Sequence, residues 1–142
     1  MNNIKLQSYI AYIGLIPALT VIFDLHFIGT LNEEIIRNFM IYYTIIIFTF
    51  IGAMVWDINV NGSMLITLYG TIPSLISFIL IVMNLIGFNY ITIIQILITS
   101  LLLQLFFDSF VYLKSNVTGL RDFYYFVRFP VTLILSFLII LS

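Results

Sequence analysis

The chain has 142 residues, of which 63% are hydrophobic and 8% charged, with a net charge of −1 and no cysteine. A soluble domain carries about 25% charged residues, and a chain this short cannot hide so apolar a composition in one core. An ordinary soluble domain is therefore excluded, nucleic acid is not an expected partner, and disulfides and thiolate chemistry are ruled out.

Lipid removes the conflict. A helix needs about 20 apolar residues to cross the hydrocarbon, and the length suffices for five crossings joined by short turns. The expected fold class is all-α: a polytopic membrane helix bundle forming a single domain over residues 1–142, with membrane lipids as its surroundings. Barrel strands are not expected, because the apolar runs are long and do not alternate, and because a helix satisfies its own backbone in lipid.

In chain order, the first span is expected over residues 9–27, with Gly14 and Pro17 inside it. The stretch before it is short and polar, without an Arg-rich presequence. No small-x-small cleavage site follows at residues 24–29, so a retained helix is expected. Asp24, His26, Glu33, Glu34 and Arg37 read as a solvated first connection. The second span is expected over residues 38–56, ending at Trp56, and residues 57–63 form a polar turn punctuated by Asn61-Gly62. The third span covers residues 64–85, with Pro73 early in it, and residues 87–89 form a tight turn. The fourth covers residues 90–113 and the fifth residues 123–142. The bias toward Ile, Phe, Tyr and Asn, with little Ala, resembles the products of AT-rich genomes.

Five crossings put the N-terminus and the second and fourth connections on one side. That side holds Lys5, Lys114 and Arg121, with Arg128 just within it, against Arg37 alone opposite. The positive-inside rule then predicts an inside N-terminus and an outside C-terminus.

Small residues at helical spacing predict close helix packing. They are Gly70, Ser74 and Ser77 in the third span, Gly14 and Ala18 in the first, and Thr49 and Ala53 beside Gly52 in the second. The fourth span carries a polar stripe of Ser100, Gln104 and Asp108, extended by Gln95 and Thr99. The fifth carries Tyr124, Arg128, Thr132 and Ser136. Residues four apart share a helix face. Asp108 and Arg128 lie at similar distances from the fourth connection and are expected to pair, with Asp57 joining the same polar cluster. A charge at the centre of the bilayer costs roughly 2.5–3.5 kcal/mol on the insertion scale. Arg snorkels more easily than the shorter Asp, so Asp108 needs the partner more.

Pro17 frees a backbone acceptor near Ile13, and Pro130 frees the carbonyl of Phe126; each is expected to kink its helix. Trp56 reads as an interfacial anchor. His26 with scattered carboxylates lacks a metal-ligand spacing. Asn116-Val117-Thr118 matches a glycosylation acceptor, but the loop is predicted inside. No phosphate-binding, zinc-protease, serine-hydrolase or dinucleotide motif is present, so neither catalysis nor a cofactor is expected.

Several of these pieces occur together in one known family. In order they are residues 14–17 (GLIP), Tyr43 followed by IFTFIG and Trp56, residues 73–75 (PSL), Gln104 with Asp108, and residues 124–132 (YYFVRFPVT). The chain resembles the transmembrane protein 69-like family, a domain of unknown function found in bacteria and mitochondria. It departs from the family pattern at Val55, where a histidine is usual, at Asp57, where glycine is, and at Phe123, often tryptophan. The resemblance implies a small five-helix inner-membrane protein and adds weight to Trp56, Asp108 and Arg128, but implies no activity. Three functions follow as expectations. The first is a structural or accessory component of a larger membrane assembly, with other membrane proteins as partners and a respiratory complex as one candidate. The second is a transporter or channel subunit with a charged site between the last two spans. The third, an intramembrane enzyme or a quinone or lipid binder, has no specific residue behind it.

Overall fold

The computed structural model describes residues 3–54, 64–114 and 119–142. Among the described residues, seven helices follow one another: α1 (Asn3–Ile13), α2 (Ile16–Phe23), α3 (Glu33–Ala53), α4 (Met64–Leu85), α5 (Tyr90–Lys114), α6 (Leu120–Phe123) and α7 (Phe129–Leu141). Single π-helical turns at Asp24–Ile28 and Tyr124–Arg128 extend α2 and join α6 to α7. Among the described residues there is no strand. These elements make five stretches long and apolar enough to cross a membrane: Lys5–Ile28, Glu33–Ala53, Met64–Leu85, Tyr90–Lys114 and Leu120–Leu141. The protein is thus an all-α bundle suited to a membrane, and Trp56, Asp57 and Asn116 lie outside the described residues.

The spans are unequally covered. Half of the most apolar stretch of the last span is buried, against 22% in the first and third. The last span and α3 form the centre, where Phe48, Met40, Leu135 and Ile139 are sealed from the surroundings. Large side chains such as Leu65, Leu75 and Phe78 of α4 face outward, as lipid allows and water would not.

The first span is broken where its sequence demands it. Gly14 and Leu15 form a turn, with the Leu15 amide donating to Tyr12 rather than one residue further back. Pro17, near the start of α2, has no amide to continue the ladder. The carbonyl that gains a new donor is that of Gly14, one residue beyond the expected position, and the Tyr43 hydroxyl of α3 donates to it.

The second span begins earlier than hydropathy alone indicates. The Asn32 side chain caps α3 by accepting from the Glu34 amide at 2.9 Å. Glu33 and Glu34 then sit in the first turn, where the helix dipole favours acidic side chains. Glu33, Glu34 and Arg37 are therefore helical rather than loop residues, with Glu33 and Arg37 facing each other at 3.4 Å. Asp24 is not a solvated loop carboxylate either. It is buried at the end of the first span and accepts from the Thr30 hydroxyl and, at 2.8 Å, from the Leu31 amide. That contact closes the turn in which Gly29 adopts φ +70°, a conformation that glycine reaches without strain.

Antiparallel α3 and α4 meet along small and polar residues. Near the chain-start end of the bundle, a Cβ placed on Gly52 would lie 2.6 Å from Pro73 Cγ and 2.8 Å from the Gly70 carbonyl oxygen. Further along, Thr49 donates to Ser77 at 2.8 Å. At the far end, the Asn84 side chain donates to the Tyr42 hydroxyl at 2.9 Å and to the side-chain oxygen Oδ1 of Asn38 at 3.3 Å. Pro73 lies well inside α4 and not near its start; the helix stays continuous through it, and the ring fills the space that Gly52 leaves.

Gly52→Leu is expected to destabilise the bundle by about 1–3 kcal/mol through overpacking, whereas outward-facing Leu75→Ala should change little. Unfolding of both variants in lipid bicelles checks this; equal stabilities would show that α3 and α4 do not approach this closely.

Candidate polar site inside the bundle

Gln104 and Asp108 lie one turn apart on the inward face of α5. Asp108 is 0% exposed. It sits six residues before Lys114, or about 9 Å along the helix at 1.5 Å per residue. Arg128 closes the π turn of the last span, just ahead of α7. A π turn inserts an extra residue into the helical ladder, a device frequent at functional sites. Pro130, two residues on, lacks the amide that would bond the Phe126 carbonyl. The Tyr12 hydroxyl of α1 donates to that carbonyl instead.

The two charges meet. Arg128 Nε donates to Asp108 Oδ2 at 2.6 Å, and Arg128 Nη2 donates to the same oxygen. The other oxygen, Oδ1, accepts from the Tyr69 hydroxyl at 2.9 Å and from Gln104 Nε2 at 3.0 Å. A carboxylate offers about four acceptor positions, and here four donors occupy them. The Tyr69 hydroxyl also lies 3.1 Å from the Gln104 carbonyl oxygen. One carboxylate thus joins α4, α5 and the last span.

Aromatic rings surround the pair. Tyr112 lies against Phe123 and Tyr124, with centroids 6.1 and 6.2 Å apart, and Phe107 meets Tyr69 edge-on at 6.0 Å. The Tyr124 hydroxyl donates to the Leu105 carbonyl at 3.1 Å, tying the last span to α5 a second time. Such a shell keeps water away and strengthens the electrostatics within it.

The other expected members are distributed differently. Thr132 is buried one turn beyond Arg128, but it makes no hydrogen bond to the pair; its carbonyl accepts from Ser136 at 2.8 Å. Asp57 and Trp56 fall outside the described residues. Pro17 and Pro130 each follow, by three and four residues, a carbonyl taken up by a tyrosine from another span. Tyr69 is the member that sequence reasoning missed. Its place five residues into α4 matches the depth of Asp108 from the same end, and that agreement was the available signal. Among the described residues no cluster of His, Cys, Asp or Glu is suited to a metal ion.

Compared with protein-family models, with curated proteins and with solved structures, the chain finds no match.

Removing one member of a buried pair strands the other's charge and costs about 3–5 kcal/mol. Asp108→Leu and Arg128→Met alone are each expected to lose stability on that scale, and the double variant should lose clearly less than their sum. Tyr69→Phe should cost about 1 kcal/mol. Unfolding in bicelles gives all four values; additive losses for the two charges would show that they do not interact.

Proposed function

We propose that the chain is a non-catalytic component of a larger membrane assembly, built to present helix faces to neighbouring proteins rather than to bind or move a solute. The observation carrying this reading is the saturation of Asp108. Its four acceptor positions are filled by Arg128, Tyr69 and Gln104 at full burial, so nothing remains to coordinate a passing ion. An intramembrane charge is by default a functional candidate, but one so enclosed fastens helices. The outward faces of α4 and of the first span, by contrast, are broad and apolar, and tight packing between such faces drives association in lipid.

The resemblance to the transmembrane protein 69-like family supports a bacterial or mitochondrial inner membrane as the setting and a respiratory assembly as a candidate partner. The distribution of Lys5, Lys114, Arg121 and Arg37 supports an N-terminus inside and a C-terminus outside. The competing reading, a transporter or channel subunit, draws on the same intramembrane charges; five spans show no obvious inverted repeat, so a transporter would need an oligomer.

Extraction from its own membrane in mild detergent, followed by native electrophoresis, is expected to carry the chain in a complex much larger than its own mass. A reproducible lone small particle would overturn the proposal. Ion flux into proteoliposomes is expected to be absent for the wild type and unchanged by Asp108→Asn; flux that the substitution abolishes would favour transport.

A further inference from the structure

At the end of the bundle away from the chain start, an open hollow of about 390 Å³ lies between the start of α3, the end of α4 and the turn into α5. Glu33, Glu34, Arg37, Asn38, Asn84 and Tyr90 line it, each close to the end of its span. The hollow therefore sits where the headgroups of a surrounding bilayer lie, at the edge of the hydrocarbon in which polar groups must satisfy one another.

Both signs of charge line it. Arg37 Cζ lies 5.3 Å from the centre of the Tyr90 ring, and Arg37 Nη2 lies 3.4 Å from Glu33. With 46% of its side chain still exposed, the guanidinium is positioned yet open to a phosphate, whose oxygens its forked N–H groups fit. Asn32 caps the Glu34 amide at 2.9 Å, so Arg37 rather than the helix start is the seat for an anion. Two carboxylates, Glu33 and Glu34, stand against this one cation in the lining. An anion alone would meet both carboxylates, and a cation alone would meet Arg37. A short group carrying both charges suits each, and residues three apart on a helix, such as Glu34 and Arg37, are neighbours.

The lining also selects the kind of cation. A quaternary ammonium donates no hydrogen bond and is recognised by aromatic faces around it. Of the two rings in the lining, Tyr90 has Arg37 over its face, and Phe88 stands 51% exposed, which makes no cage. A primary ammonium instead needs oxygen acceptors, and the Glu34 carboxylate and the side-chain oxygens of Asn38 and Asn84 are of that kind. We infer that this hollow binds a phosphoethanolamine group, with the phosphate on Arg37 and the ammonium on Glu34. A phospholipid headgroup and a soluble glycerol ester carry the same group. The inference does not depend on membership of a larger assembly: it concerns the headgroup end of the bundle and not its helix faces.

The test uses the full-length protein, freed of lipid in detergent. Dioleoyl phosphatidylethanolamine, its N,N-dimethyl derivative, and phosphatidylcholine and phosphatidylglycerol with the same acyl chains are titrated separately, and bound molecules are counted by native mass spectrometry. One saturable site is expected, taking phosphatidylethanolamine about tenfold more tightly than phosphatidylcholine or phosphatidylglycerol, with the dimethyl lipid between. Displacement of that lipid by glycerophosphoethanolamine assigns the site to the soluble ester, and a lipid preference that resists it assigns the site to the headgroup. Arg37→Gln and Glu34→Gln alter exposed side chains far from the Asp108–Arg128 pair. Each is expected to remove most of the preference while thermal unfolding stays unchanged. Equal binding of the four lipids, or a preference that survives both substitutions, would overturn the inference.

Discussion

Hydrocarbon supplies no hydrogen-bond partner, so every polar group carried into it must find one within the protein. That constraint explains where the spans of this bundle touch. Asp108 cannot reach water from its position in α5, and its needs are met by Arg128 from the last span, Tyr69 from α4 and Gln104 from its own helix. Satisfying one carboxylate fixes the rotation and depth of three spans at once. The first span is attached by the same logic. Two proline-associated carbonyls, at Gly14 and Phe126, accept from Tyr43 and Tyr12, so breaks in the backbone become joints between helices. Among the described residues, Thr44 carries the one buried side-chain polar atom left without a partner.

A second device operates along α3 and α4, where no charge is involved. Gly52 and Gly70 let the backbones approach, and Pro73 fills the space between them. Apolar side chains gain little by leaving lipid for one another, so close packing and a few hydrogen bonds must carry the association. Thr49 with Ser77 and Asn84 with Tyr42 supply those bonds at two other depths. The polar capacity of the bundle is spent internally. What remains for recognition within the hydrocarbon is apolar surface, and that links the packing to the proposed role as an assembly component.

Much of this architecture is legible in the sequence because it rests on regular helical geometry. The third span ends at Leu85 in both the hydropathy and the structure, because Gly87 turns the chain there with a positive φ. The relative depth of Asp108 and Arg128 follows from constant helical rise counted back from one short connection. The start of α3 was less legible: hydropathy marks where hydrocarbon begins, whereas Asn32 and the two glutamates set where the helix begins. Tyr69 was hidden because nothing in a single sequence sets the rotation of α4 against α5. The acceptor freed by Pro130 was readable from local chemistry, but its donor, Tyr12, lies 114 residues away. At Pro17 the helix relaxes into a turn at Gly14 and Leu15, which moves the available acceptor by one residue.

The central claim is that the Asp108 carboxylate and the Arg128 guanidinium are in direct contact inside the bundle, and it is open to a distance measurement in lipid. Solid-state NMR dipolar recoupling on protein labelled with ¹³C at the aspartate carboxyl carbon and ¹⁵N in the arginine guanidinium reads that contact directly. With the other arginines and aspartates replaced outside the pair, strong dephasing of the carboxyl signal at short mixing times is expected, as for hydrogen-bonded partners. A carboxyl signal that stays undephased at long mixing times, in protein shown to be folded, would place the two charges apart and contradict the account.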